Sequence, residues 1–237
     1  MYFYSMKKIT LLFICVANIT FAQQFNAGIV TGIAGTQVEG DGLGGFHKGG
    51  AVAGVWLNLP LPNKNFALQV EMHYTGKGAK TPTRPLFQDS AAKGNQGFNY
   101  FYLMRLHYID VPFLLQYHNK KFTYEIGTGI GFLASAHIFD TYGELQEGAQ
   151  GSPQHDPFKR YDWTTALGIT YAMNDHWQGS WRLCNSITPI RTYAVNLART
   201  QAFGGWGQYN TVMEFTLRYS FNKLIRNTTI PTLIPAK

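Results

Sequence analysis

The chain is poor in cysteine and in charge, and it has no long apolar run outside its first twenty-odd residues. Only two cysteines occur in 237 residues. Cys15 lies in the leading segment, so Cys184 is left without an internal partner and a disulfide framework is excluded. No CxxC pair or His/Cys cluster with metal-ligand spacing is present, which argues against a zinc module and leaves no expected cofactor. Charged residues make up 14% of the chain and form no basic run, so nucleic acid is not an expected partner. After residue 22 nothing approaches the roughly 20 apolar residues that a membrane-crossing helix needs. Any membrane embedding must therefore use strands.

The first 22 residues have the order of an export signal. Lys7 and Lys8 precede an apolar stretch from Ile9 to Ile19, and Thr20-Phe21-Ala22 ends in a small residue before Gln23. Without this leader the net charge falls from +7 to +5. The expected organisation is a signal peptide over 1–22, a β-domain over 23–221 and a tail over 222–237 containing Pro231 and Pro235. Asn227-Thr228-Thr229 in that tail is not expected to carry a glycan.

What the chain has is aromatic residues in alternation. It contains 17 Phe, 14 Tyr and 5 Trp, and the hydrophobic period is two. Phe66, Leu68, Val70, Met72 and Tyr74 fall on one face, with Ala67, Gln69, Glu71, His73 and Thr75 on the other. The same rhythm runs through Phe122 to Phe132, Tyr161 to Tyr171 and Tyr209 to Phe221. Weaker segments lie at Phe25 to Val38, Ala51 to Leu59, Phe101 to Tyr117 and Trp177 to Ile187. In Phe101 to Tyr117 the apolar parity changes near Pro112, which predicts a bulge around Asp110 and Pro112.

Eight segments with alternating long links (39–50, 78–100, 138–160, 188–207) and short ones predict an all-β fold. The expected architecture is an eight-stranded antiparallel up-and-down transmembrane barrel with long extracellular loops and short periplasmic turns. The small and polar face suits the narrow lumen of such a barrel, and the aromatic face suits lipid, with Tyr and Trp near segment ends as interfacial girdles. The expected location is the outer membrane, with its lipid as the first partner.

Two stretches carry a family resemblance. LQVEMHYTGKGAK at 68–80 and LHYIDVPFLLQYHNKKFTYEIGTGIGFLASA at 106–136 resemble the PorT-like outer-membrane β-barrels of Bacteroidota. Tyr74, Lys77 and Gly78 match one element, Tyr108, Asp110 and Pro112 a second, and Gly127, Gly129 and Gly131 a third. Asp110 stands where the family usually has Glu. The resemblance implies an eight-stranded barrel and, through its founding member, a link to type IX secretion.

The charges expected in the lumen are Glu71, Arg105, Glu125, Asp162, Arg182, Glu214 and Arg218, read as a paired structural network because buried charges must be paired. A filled lumen argues against a porin. The rival function is a small barrel enzyme that modifies membrane lipids with loop residues. Its candidates are His47, His137, His155 and Asp156, but no nucleophile elbow, paired-His spacing or phosphate loop accompanies them. Gly40 to Gly50 lacks the Lys-Ser or Lys-Thr of a phosphate loop and reads as a surface loop. The expected role is therefore non-enzymatic. The chain would support a surface or secretion assembly, or envelope integrity, through its loops and tail.

Overall fold

The computed structural model describes residues 25–62, 65–82, 101–145, 152–192 and 206–224. The leader over 1–22, most of the 78–100 loop and the tail beyond Leu224 lie outside the described residues. Among the described residues nine strands occur in chain order. They are β1 (Asn26–Glu39), β2 (Lys48–Pro60), β3 (Phe66–Lys80), β4 (Tyr102–Asn119), β5 (Phe122–Asp140), the two-residue β6 (Gly143–Glu144), β7 (Tyr161–Ala172), β8 (Trp177–Ser186) and β9 (Tyr209–Ser220). Each long strand pairs antiparallel with its chain neighbours, and β9 pairs back onto β1, so eight strands close into an up-and-down barrel. The β6 strand is a short return on the end of β5.

The register sets the barrel's dimensions. Stepping across partners from Asn26 through Asn58, Gln69, Leu114, Gly127, Ala166, Cys184 and Val212 returns to β1 at Thr36, ten residues further along. For eight strands that stagger requires a tilt of roughly 40–45° and a radius of about 8 Å, a lumen that side chains can fill. Each strand residue then climbs about 2.5 Å along the barrel axis.

The outward residues form an apolar belt. Leu68, Val70 and Met72 on β3, Phe113 and Leu115 on β4, Ile126 on β5, Leu167 on β7 and Phe215 on β9 are all exposed. Rings collect at both edges of the belt. At the end bearing the short turns lie Phe66 against Tyr117, Phe122 against Tyr171, and Trp177 against Tyr219. At the other end lie Tyr74, Trp163 and the edge-to-face pair Phe132 and Tyr161. The girdles stand about 20–25 Å apart, the height of an outer-membrane apolar band. Among the described residues no helix is long and apolar enough to cross a membrane.

The bulge expected in β4 is not there. Met104, Leu106, Tyr108, Asp110, Pro112, Leu114 and Gln116 face inward without a break. The parity of apolar residues changes because the surroundings change. Below Asp110 the outside of β4 meets lipid and carries Val111, Phe113 and Leu115. Above it the outside meets headgroups and water, and the apolar residues turn to the inside. Pro112 lacks an amide hydrogen, and the β3–β4 ladder lapses beside it, between the pairs Val70–Phe113 and His73–Asp110, without a shift of register. The register shift lies in β5 instead, where Tyr108 pairs with Leu133 and His107 with Ser135, leaving Ala134 extra.

The same inversion explains why β3 and β5 run into segments that read as loops, to Lys80 and Asp140. Beyond the belt they form a taller wall around an inner apolar cluster of Val38, Ala79, Met104, Leu106, Tyr108, Ile138 and Ile190. Ile190 reaches it from the chain after β8, held by backbone bonds to Lys159 and Gln208. This cluster caps the lumen on the side away from the short turns.

Candidate functional site

Six of the seven charges read from the sequence as lumenal lie inside the barrel. Glu71, Glu125, Asp162, Arg182, Glu214 and Arg218 are each at least 97% buried. Arg105 lies on the outer face at an odd position of β4, exposed, with its guanidinium 5.2 Å from the centre of the Phe139 ring. The inward assignment of Arg105 follows from taking Leu106 and Tyr108 as lipid-facing, whereas above the belt both belong to the inner apolar cluster.

The inner charges form two tiers. In the lower tier Arg182 makes a two-pronged contact with Glu71, both nitrogen–oxygen distances being 2.8 Å, and a third bond of 3.0 Å to Glu125. Arg218 pairs with Glu125 and lies 2.9 Å from Glu71. Glu71 on β3 and Arg182 on β8 come from opposite sides of the ring, so the bidentate bond braces the barrel across its lumen. His73 lies between two carboxylates, its Nδ1 3.3 Å from Glu71 and its Nε2 3.6 Å from Glu214. Neutral groups satisfy the remaining oxygens. Gln69 donates to Glu71 at 2.6 Å, Gln116 to Glu125 at 2.8 Å and Thr170 to Glu125 at 2.9 Å.

The upper tier is built from the family-motif residues. Lys77 donates to Asp110 at 2.9 Å and to Asp162 at 3.2 Å, and its ammonium stands 4.5 Å over the Tyr108 ring. Asn210 donates to the same Asp162 oxygen at 2.9 Å. Gly131 makes room for this cluster, since a Cβ there would lie 2.4 Å from an Asp110 oxygen. Gly78 takes a φ of 130° and its carbonyl accepts from Thr36 at 2.8 Å, which turns the chain just beyond Lys77. Gly127 and Gly129 continue the close approach of β5 to β4, Gly127 against the Phe113 carbonyl and Gly129 against Pro112. Tyr74 points outward, where its hydroxyl meets His107 Nδ1 at 2.6 Å. The three motif elements, distant in sequence, thus meet around one buried lysine.

His73, Lys77 and Asp110 complete the ion pairs of the lumen. Their signal was present, because His73 and Lys77 share the inward parity of Glu71. Arg191, buried against the Phe158 ring at 4.3 Å and bonded to Gln208 at 2.7 Å, belongs to the cap and carried no periodic signal.

Two of the three candidate histidines, His137 near the end of β5 and His155, are partnered by carboxylates. His137 is 2.7 Å from Glu144, and His155 is 3.0 Å from Asp156. His47 is exposed in the β1–β2 turn. Among the described residues no group of three or more His, Cys, Asp or Glu could hold a metal ion.

A family model described as the outer membrane protein beta-barrel domain matches residues 21–191. No curated protein matches the chain. Solved structures similar to it include Ail, the attachment invasion locus protein of Yersinia pestis, at 11% identity. That match covers 84% of this chain and 99% of that one, with a TM-score of 0.44. Neisserial surface protein A is similar at 9% identity, over 83% of this chain and 97% of that one, TM-score 0.44. OprG of Pseudomonas aeruginosa is similar at 14% identity, over 84% and 94%, TM-score 0.32.

Proposed function

The chain belongs to the outer membrane protein β-barrel domain family, and we propose that it is a non-enzymatic, non-conducting member that works through its outward surfaces. In this reading it supports a surface or secretion assembly of the type IX kind, or the integrity of the envelope, by way of its loops and tail. The observation that carries the reading is the filled lumen. Two tiers of ion pairs cross it, and the apolar cluster around Ile190 closes it above. A solute would have to break several buried, charge-assisted bonds to pass, so the lumen supplies no path.

Co-purification from outer membranes in mild detergent tests the proposal. Recovery of stoichiometric secretion or surface subunits favours the assembly role. A barrel recovered alone, whose deletion makes cells permeable to detergent, favours the envelope role. Lipid-modifying activity of the purified protein, lost in His155→Ala, would overturn both.

A further inference from the structure

Among the described residues the exposed cations above the upper aromatic girdle lie on one side of the barrel. On β4, Arg105 stands four positions beyond Ile109, about 10 Å higher along the axis. Lys80 ends the neighbouring β3, on its outward parity. On the other flank Lys159 and Arg160, both exposed, immediately precede the girdle residue Tyr161, and the Arg160 carbonyl accepts from Leu133 of β5. At the same level across the barrel, β1 presents Gln37 and Glu39, bonded to each other, while Asp41 beyond them is buried. Among the described residues the exposed cations therefore form an arc over β3 to β7.

The arc lies at headgroup height. A bilayer's polar layer extends about 5–8 Å beyond its hydrocarbon core, so these cations rise from the top of the belt through that layer. Below them the outward residues are His107 and then Ile109 on β4, and Phe132 and then Ile130 on β5, with Ile109, Phe132 and Ile130 forming an apolar track for acyl chains. Among the described residues the guanidinium of Arg105 meets only the Phe139 ring, which leaves its donors for an anion. Glu144, the strand partner of Phe139, is taken up by His137. His107 is stacked on Tyr74, and Gly76 makes room for the Tyr74 hydroxyl, because a Cβ there would lie 3.3 Å from it. The floor beside Arg105 is thus held in place.

We propose that this face binds a phosphorylated lipid of the outer leaflet, with its phosphate on Arg105, Lys159 and Arg160 and its acyl chains along Ile109 and Ile130. Arginine's planar fork matches a phosphate with two parallel bonds, and the long stems lie along apolar surface while the heads reach the polar layer. The site anchors and orients the barrel in its leaflet. It does not depend on which protein the loops meet, so its failure would leave the scaffold reading standing, and the reverse also holds.

The test uses the full-length purified protein in neutral detergent with three probes. These are diphosphorylated lipid A, the same lipid with its phosphates removed, and glucosamine 1-phosphate as a soluble head without chains. Bound lipid is counted by native mass spectrometry. The phosphorylated lipid is expected to be retained at least tenfold better than the dephosphorylated one, with the preference weakening as salt rises. Arg105→Gln combined with Arg160→Gln should abolish the preference, while Lys121→Gln at the opposite, short-turn end should leave it intact. Equal retention of both lipids, competition by the soluble phosphosugar at equal concentration, or an undiminished preference in a correctly folded double variant would each overturn the assignment. The two-lipid comparison on the native chain decides the question even if the double variant fails to fold.

Discussion

Replacing Lys77 by methionine removes one cation from between two buried carboxylates while keeping the length of the side chain. Asp110 and Asp162 would then face each other without the ammonium that now lies 2.9 Å and 3.2 Å from them. Breaking a buried ion pair by removing one partner costs about 3–5 kcal/mol, because the remaining charge stays desolvated. Asn210 still donates to Asp162, which moderates the loss on that side. The ammonium's contact with the Tyr108 ring is lost as well, worth up to about 2 kcal/mol when desolvated. Folding into lipid vesicles, followed by the gel shift between unboiled and boiled protein across a urea series, should show Lys77→Met destabilised by about 3–5 kcal/mol. Adding Asp110→Asn and Asp162→Asn should recover the loss to within about 1 kcal/mol, since a buried pair replaced as a whole is often neutral. A single variant within about 1 kcal/mol of the native chain, or a triple variant no better than the single, would refute the reasoning on buried charge.

Three further outcomes follow from the geometry. Leu167→Arg, on the outward face near mid-belt, should lower stability in lipid vesicles by about 2–4 kcal/mol, whereas Tyr161→Arg at the girdle should cost about 1 kcal/mol or less; equal costs in the same urea series would place the belt wrongly. Gly131→Ala should destabilise by about 1–3 kcal/mol through its collision with Asp110, while Gly44→Ala, with nothing within 4 Å of the added carbon, should be neutral; urea midpoints of the two variants compare them. Burial pushes the Asp41 carboxyl up to about 7, although the Leu43 amide bonded to it at 2.7 Å pulls the other way. Its folded value lies above the ordinary carboxylate value of about 4, so the stabilising protonated state is full at low pH and is lost as pH rises from about 4 through about 7. Amide exchange over residues 40–47, corrected for intrinsic rate, should therefore quicken between pH 5.5 and pH 8 in the native chain and stay level in Asp41→Asn; matching profiles would contradict the assignment.

How far the sequence is legible depends on which solvent each segment meets. Within the belt, one face touches lipid and the other a narrow polar lumen, so hydrophobic alternation is steep. Phe66 to Tyr74 and Tyr161 to Tyr171 therefore read directly as strands with a known outward face. Above the belt the contrast reverses, with water outside and an apolar cluster within. Leu106, Ala136 and Ile138 then point inward, and a reading that assumes lipid outside takes the reversal for a bulge and turns Arg105 the wrong way. The pairing of charges lay beyond the pattern altogether. Parity places Glu71 and Arg182 on the same side of the wall, and closure of eight strands sets β3 opposite β8, but only the ten-residue stagger brings the two residues to the same height. The stagger is a property of eight registers together and of no single segment. Arg191 and Ile190 sit in irregular chain and have no period to read.

Two tiers of ion pairs and an apolar cap shut the lumen. Purified protein added to a planar lipid bilayer under a constant potential tests this closure, with folding verified beforehand by the gel shift on heating. The tiers around Arg182 and Lys77, with the cap above them, predict a flat baseline with no current steps. Reproducible ohmic steps from correctly folded protein would contradict the claim and return the search for function to the lumen.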